Sequence, residues 1–309
     1  MFVYYLQLFI SVILLAGQFT LNKLYQSKNG SGMMTSLLYT TLSGLATGVI
    51  FFCINGFRIA VTPFSLFCAL GVALLCVSYT LVGFRVFSLG SFSVYTMFLM
   101  LGGMLLPFLY GMLFLGDGAS LSGLSFVMRM AGVVLLAVSM VFPCFGQKAD
   151  ESRSKRTKTL FIVLCLCVFV MNGFVSILSK VHQIEASRAV VDGNSFVFLT
   201  NFTNGVLSGI ALLVLCLVKK EKPALSKDFP KWQLAPIVAA YAACNGVSYL
   251  LQLKVAASPL PASVQYPMIT GGSVVLTALA GFLFFREKPD KLSLIGIILS
   301  FAATFLFLF

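Results

Sequence analysis

Ten stretches of about 20 predominantly apolar residues divide this chain, each bounded by glycine, proline, asparagine or a cluster of charges. In the first half they run over Phe2–Tyr25, Met33–Asn55, Pro63–Phe84, Phe92–Leu115 and Gly123–Phe142. In the second half they run over Thr159–Lys180, Phe196–Val218, Ala235–Val255, Ala262–Phe285 and Leu292–Phe309. Such runs are too long and too uniformly apolar for barrel strands. In hydrocarbon a helix satisfies its peptide groups within one segment. The pattern therefore predicts an all-α membrane protein with ten transmembrane helices. Met1–Leu15 lacks the basic start and small-residue cleavage site of a secretory signal, so it reads as the beginning of the first span.

The longest polar interruption, Gly146–Lys158 (GQKADESRSKRTK), falls near the middle and predicts two five-helix repeats, 1–145 and 159–309, joined by a linker at 146–158. Self-comparison points the same way. A shift of 170 residues lays Val77-Ser78-Tyr79 on Val247-Ser248-Tyr249, Gly102 on Gly272, Gly111 on Gly281 and Asp117 on Glu287. A shift of 157 lays Lys23-Leu24-Tyr25-Gln26 on Lys180-Val181-His182-Gln183. Matched glycine, tyrosine and acidic positions are harder to obtain by chance than matched leucines. An odd number of helices per repeat places the copies in opposite orientations, the inverted arrangement expected of an alternating-access carrier.

Composition narrows the class. Hydrophobic residues make up 59% and charged residues only 10% of the 309, with a mean hydropathy of +1.01, so most of the surface must face lipid. The formal charge of +12 would raise the question of nucleic acid in a soluble protein. Here Lys and Arg cluster between apolar runs, where they set topology and attract lipid headgroups, and no nucleic-acid surface is expected. Sixteen fall on the side of the central linker, against Arg58, Lys180, Arg188 and Lys254 on the other. The positive-inside rule places the linker in the cytoplasm and both termini outside, in a bacterial inner membrane. Of the eight cysteines, seven lie within apolar runs and Cys144 at the end of one. No CxxC pair or neighbouring histidine suggests a disulfide or zinc site.

Polar side chains inside the spans are the candidates for chemistry. Gln18 and Asn22 lie in the first span, Tyr79 in the third, Tyr95 in the fourth, Asn172 in the sixth, and Asn201 and Asn204 in the seventh. The eighth and ninth add Asn245, Ser248, Tyr249 and Gln252, then Gln265, Tyr266 and Thr270. Each such group needs a partner in lipid, so it must bond another helix or face a wet pathway that binds a small solute. Lys23, Lys180 and Arg129 are candidate anion contacts; the two lysines can instead snorkel to headgroups, and Arg129 can pair with carbonyls between helices. The nine acids all fall in predicted loops or at helix ends, leaving no intramembrane counter-ion for a cationic drug. Gly102-Gly103 and Gly271-Gly272 predict close helix approach or hinge action. No nucleophile motif, phosphate loop or metal cluster is present, so neither catalysis nor a cofactor is expected.

The 5 + 5 duplication, the polar-tipped first span of each half and the acidic residue closing the fourth resemble the drug/metabolite transporter superfamily, and specifically its ten-helix EamA-type members. Pro259–Phe309 is similar to the last two helices of small multidrug resistance proteins, with Pro-x-x-x-x-Tyr, paired glycines and Phe-Phe-x-Glu before a closing apolar helix. The resemblance implies a carrier fold with a central cavity lined by both halves. Those small proteins depend on a carboxylate in their first helix, which this chain lacks. Transport of an amino acid or related polar or anionic solute is therefore expected, with lipid-linked substrate flipping or a non-transporting scaffold as alternatives.

Overall fold

A computed structural model describes residues 2–30, 32–89, 92–117, 123–146, 155–185, 187–221, 223, 231–285 and 291–307. Ten α-helices follow one another in the order the apolar runs predict: α1 (Phe2–Asn29), α2 (Met33–Ile54), α3 (Pro63–Leu89), α4 (Phe92–Phe114), α5 (Gly123–Gly146), α6 (Lys155–Ile184), α7 (Gly193–Lys219), α8 (Leu234–Ala256), α9 (Ala262–Phe285) and α10 (Lys291–Leu306). Seven are long and apolar enough to cross a membrane. The other three contain shorter apolar stretches at Phe98–Phe114, Gly123–Ser139 and Leu294–Leu306. Most of the expected linker, residues 147–154, lies outside the described residues, while α6 starts within its predicted bounds at Lys155.

Helix ends follow local chemistry. α2 stops where Gly56 and Phe57 take positive φ, at 65° and 61°. Pro63 then opens α3 at the position where its missing N–H costs nothing. Asp192 caps α7, its carboxylate accepting from the Ser195 N–H at 3.0 Å.

The packing is symmetric under exchange of each helix with the one five places later. α1 packs on α8 and α9, while α6 packs on α3 and α4. The matched pairs α2/α7, α4/α9 and α5/α10 pack on each other. Matched helices run antiparallel. Asn55 at the end of α2 meets Ser195 at the start of α7; Asp117 just beyond α4 meets Ser263 at the start of α9; Ser139 of α5 meets Ser300 of α10. These directions are consistent with an inverted repeat.

The apolar clusters repeat as well. Leu8 of α1 packs with Val255, Leu260 and Val264, and its counterpart 157 residues on, Cys165 of α6, packs with Val86, Tyr95 and Phe98. A Cβ on Gly272 would meet Val12, and one on Gly102 would meet Phe169, the counterpart of Val12 by the same shift. Large apolar side chains including Phe9, Phe67, Leu74, Val134, Leu213 and Leu283 are exposed, as lipid-facing groups are.

Between helices in lipid the hydrophobic effect supplies little attraction, so close contact depends on small residues. The α2/α7 crossing carries two G-x-x-x-G motifs, Gly44/Gly48 and Gly205/Gly209, which lie 161 residues apart in sequence. A Cβ on Gly44 would come within 2.8 Å of the Gly205 Cα and N and 2.9 Å of the Asn201 carbonyl, so the two backbones touch. Gly44→Ala should therefore destabilise the protein by about 1–3 kcal/mol, because backbone on both sides would have to shift. Gly17→Ala, whose Cβ would meet only the Cys244 Sγ at 3.7 Å, should be far milder. Melting curves of the two variants in one detergent test this, and equal melting temperatures would refute a backbone contact at Gly44.

Candidate functional site

A cavity of about 380 Å³ lies between the two halves, walled by α1–α4 and α6–α9. Among the described residues neither α5 nor α10 contributes to the lining. It reaches Gln26 near the end of α1, Ser36 at the start of α2 and Tyr95 at the start of α4, so it extends toward the side of the α1–α2 loop. At the opposite ends of the helices two apolar clusters fill the space, one around Phe51, Phe196 and Leu253 and one around Leu8, Val255 and Leu260.

Polar bonds between the halves reinforce the filled side. The Thr62 hydroxyl donates to the Ala189 carbonyl at 2.7 Å, Ser65 Oγ pairs with His182 Nε2 at 2.8 Å, and the Val191 N–H donates to Ser65 Oγ at 3.2 Å. His182 is fully buried and stacks on Phe196, with centroids 3.7 Å apart. Asp117 Oδ2 accepts from the Ser263 N–H at 3.1 Å, and Arg129 Nη1 donates to Ser263 Oγ at 2.7 Å, which ties α4 and α5 to the N-terminus of α9.

Most of the polar residues singled out in the sequence converge on the cavity: Gln18, Asn22 and Lys23 from α1; Tyr79 and Tyr95 from α3 and α4; Asn172 from α6; Asn201 and Asn204 from α7; Asn245, Tyr249 and Gln252 from α8; Tyr266 and Thr270 from α9. Four do not line it. Ser248 is turned to α1, its hydroxyl donating to the Ser11 carbonyl at 2.9 Å. Gln265 is fully buried, its Nε2 donating to the Gln252 carbonyl at 3.0 Å while its Oε1 has no partner. Lys180, 4% exposed, donates to the Ala256 carbonyl at 2.6 Å, a cation set on the C-terminus of α8. Arg129 is buried against Ser263 with its Nε unpartnered.

α2 lines the cavity too, beyond the residues expected from the sequence. Ser36, Tyr39, Thr40 and Ser43 all line the cavity, at the helical spacing that puts them on one face. That spacing was the available signal. Tyr241 was overlooked too; its hydroxyl accepts from Gln18 Nε2 at 3.1 Å.

Residues 194–309 match the profile of the EamA-like transporter family. The multidrug resistance protein EbrA of Bacillus licheniformis is 29% identical over 97 residues, covering 30% of this chain and 89% of its own length. A crystal structure of another protein superposes on 98% of this chain and 95% of its own with a TM-score of 0.69 at 14% identity, a likeness of fold alone. Among the described residues, seven helices long and apolar enough to cross a bilayer and three shorter apolar ones make the chain a multi-pass membrane protein whose C-terminal part is similar to EamA-like transporters.

Among the described lining residues the cavity wall is almost free of formal charge. Lys23 is the one ionisable acid or base of the Asp, Glu, Lys, Arg and His types among its described lining residues. The Lys23 ammonium sits over the Phe285 ring at 5.1 Å, near the wide end. Carboxamides of α1, α6, α7 and α8 supply the polar surface and tyrosine rings supply much of the apolar surface.

Single cysteines placed in a cysteine-free background should separate the two sets of residues. Asn22→Cys and Gln252→Cys should react with a membrane-impermeant thiol reagent added from the α1–α2 loop side, and Gln265→Cys should resist it. Equal labelling at all three positions would refute the cavity boundary described above.

Proposed function

We propose that this transporter moves a small polar metabolite across a bacterial inner membrane by alternating access, with the central linker in the cytoplasm and five-helix repeats at 1–145 and 159–309. The observation that carries the reading is the one-sided cavity between halves whose packing is exchange-symmetric. If the halves swapped their conformations, the wide end would close and the end pinned by Thr62, Ser65 and Asp117 would open. The anionic branch of the sequence expectation is weakened, because neither Arg129 nor Lys180 is among the described lining residues: Arg129 is bonded to Ser263, and Lys180 to the Ala256 carbonyl. Polar and zwitterionic solutes, amino acids among them, remain.

Proteoliposomes containing the purified chain should show counterflow of at least one solute from a panel of amino acids, sugars, nucleosides and organic anions. Silence across the whole panel would favour a non-transporting scaffold. A second measurement addresses the mechanism. Thr62→Cys with Ala189→Cys, in a cysteine-free background, should form a disulfide across the pinned end, since the native side chain and carbonyl already touch. The oxidised protein should lose transport and recover it on reduction. Full transport by the cross-linked protein would rule out alternating access through that end.

A further inference from the structure

The orientation of the cavity's carboxamides narrows the solute. Asn201 Nδ2 donates to the Val197 carbonyl at 2.9 Å, which leaves its Oδ1 as an acceptor. Asn245 Nδ2 fills that acceptor at 2.7 Å. Asn172 Nδ2 donates to the Leu99 carbonyl at 2.7 Å. A backbone carbonyl can only accept, so these bonds fix which end of each amide is the NH₂. The carboxamide oxygens of Asn172 and Asn245 have no donor among the described residues, and both residues line the cavity. Asn204 Oδ1, Ser36 Oγ and Tyr39 Oη are buried in the same lining with no hydrogen-bond partner. Ser36 and Tyr39 are 7% and 4% exposed, and groups so deeply buried are rarely left unsatisfied.

Tyrosine hydroxyls at the deep end are already engaged. Tyr266 donates to the Ser176 carbonyl at 2.9 Å and Tyr249 pairs with Ser179 Oγ at 2.8 Å, so these residues offer ring surface rather than hydroxyls. Charge completes the selection. A wall of carboxamide oxygens repels an anion. Lys23 in the wall and Lys180, bonded to the lining residue Ala256, disfavour a cation, and no described lining residue is a carboxylate that would attract one.

We infer that the solute is uncharged and presents N–H or O–H donors around a flat ring, the class of free nucleobases and nucleosides. This deepens the transport reading and rests on it. The donors would satisfy the open oxygens of Asn172, Asn204 and Asn245, and the ring would stack on tyrosine.

The test is radiolabelled binding and counterflow with the reconstituted full chain, using uridine and adenine against uridine monophosphate, tetraphenylphosphonium and tryptophan. Uridine or adenine should bind and exchange, with the anion, cation and zwitterion weaker by about tenfold or more. Asn204→Ala and Tyr39→Phe should each weaken that binding by roughly threefold to tenfold while leaving the melting temperature of the ligand-free protein unchanged or raised, because each removes an unsatisfied group. A purely structural role would lower the melting temperature and spare affinity, which would overturn the inference. Preference for a charged or zwitterionic probe would overturn it while leaving transport intact. Absence of exchange by any solute class would overturn both.

Discussion

Helices surrounded by lipid gain little from hiding apolar surface against one another, so this fold depends on places where backbones can come close. The crossing of α2 and α7 is the clearest such place. Gly44 and Gly205 bring the two chains into direct contact, and Gly48 and Gly209 extend the seam along Phe202 and Thr41. The same device recurs where Gly102 meets the Phe169 backbone and where Gly272 meets Val12. With matched helices held together at their own crossings, a polar cavity is left between the halves, walled by α1–α4 and α6–α9.

That division of labour accounts for the polar residues. Hydroxyls and amides that pack against a neighbour are paired with it, as Ser11 is with Ser248 and Ser139 with Ser300. On the cavity side the Asn172 and Asn245 carboxamides are bonded through their NH₂ groups, and the Ser36 and Tyr39 hydroxyls have no partner among the described residues. The asymmetry between the two ends, apolar and cross-bonded at one, polar and wide at the other, is a property of this conformation. The exchange symmetry of the packing holds irrespective of it.

The spans were legible in the sequence because lipid imposes simple rules: a length of about 20 apolar residues per crossing and few charges within it. The shifts of 157 and 170 are consistent with the packing, in which Leu8 and Cys165 each anchor an apolar cluster and Gly102 and Gly272 each sit at a close crossing. The site was legible only in part. Lys180 reads from sequence as the partner of Lys23, but its reach brings it to the carbonyl ending α8, a destination set by a helix 76 residues away. The hydroxyls of α2 escaped notice because serine and threonine can satisfy themselves on their own helix, as Thr40 does on the Ser36 carbonyl and Thr47 on the Ser43 carbonyl. The G-x-x-x-G pairs were present in plain letters, yet only the crossing reveals that they face each other.

One feature of the ring of helices bears on how such a protein can change over time. α5 and α10 lie against each other outside the cavity, touching it nowhere among the described residues. Their amino acids answer to the surrounding bilayer, to one another and to the flanks of α4 and α9, while those of the other eight also wall the cavity. Drift in membrane thickness or lipid chemistry can therefore be absorbed on the outer faces of this pair while the cavity wall stays as it is.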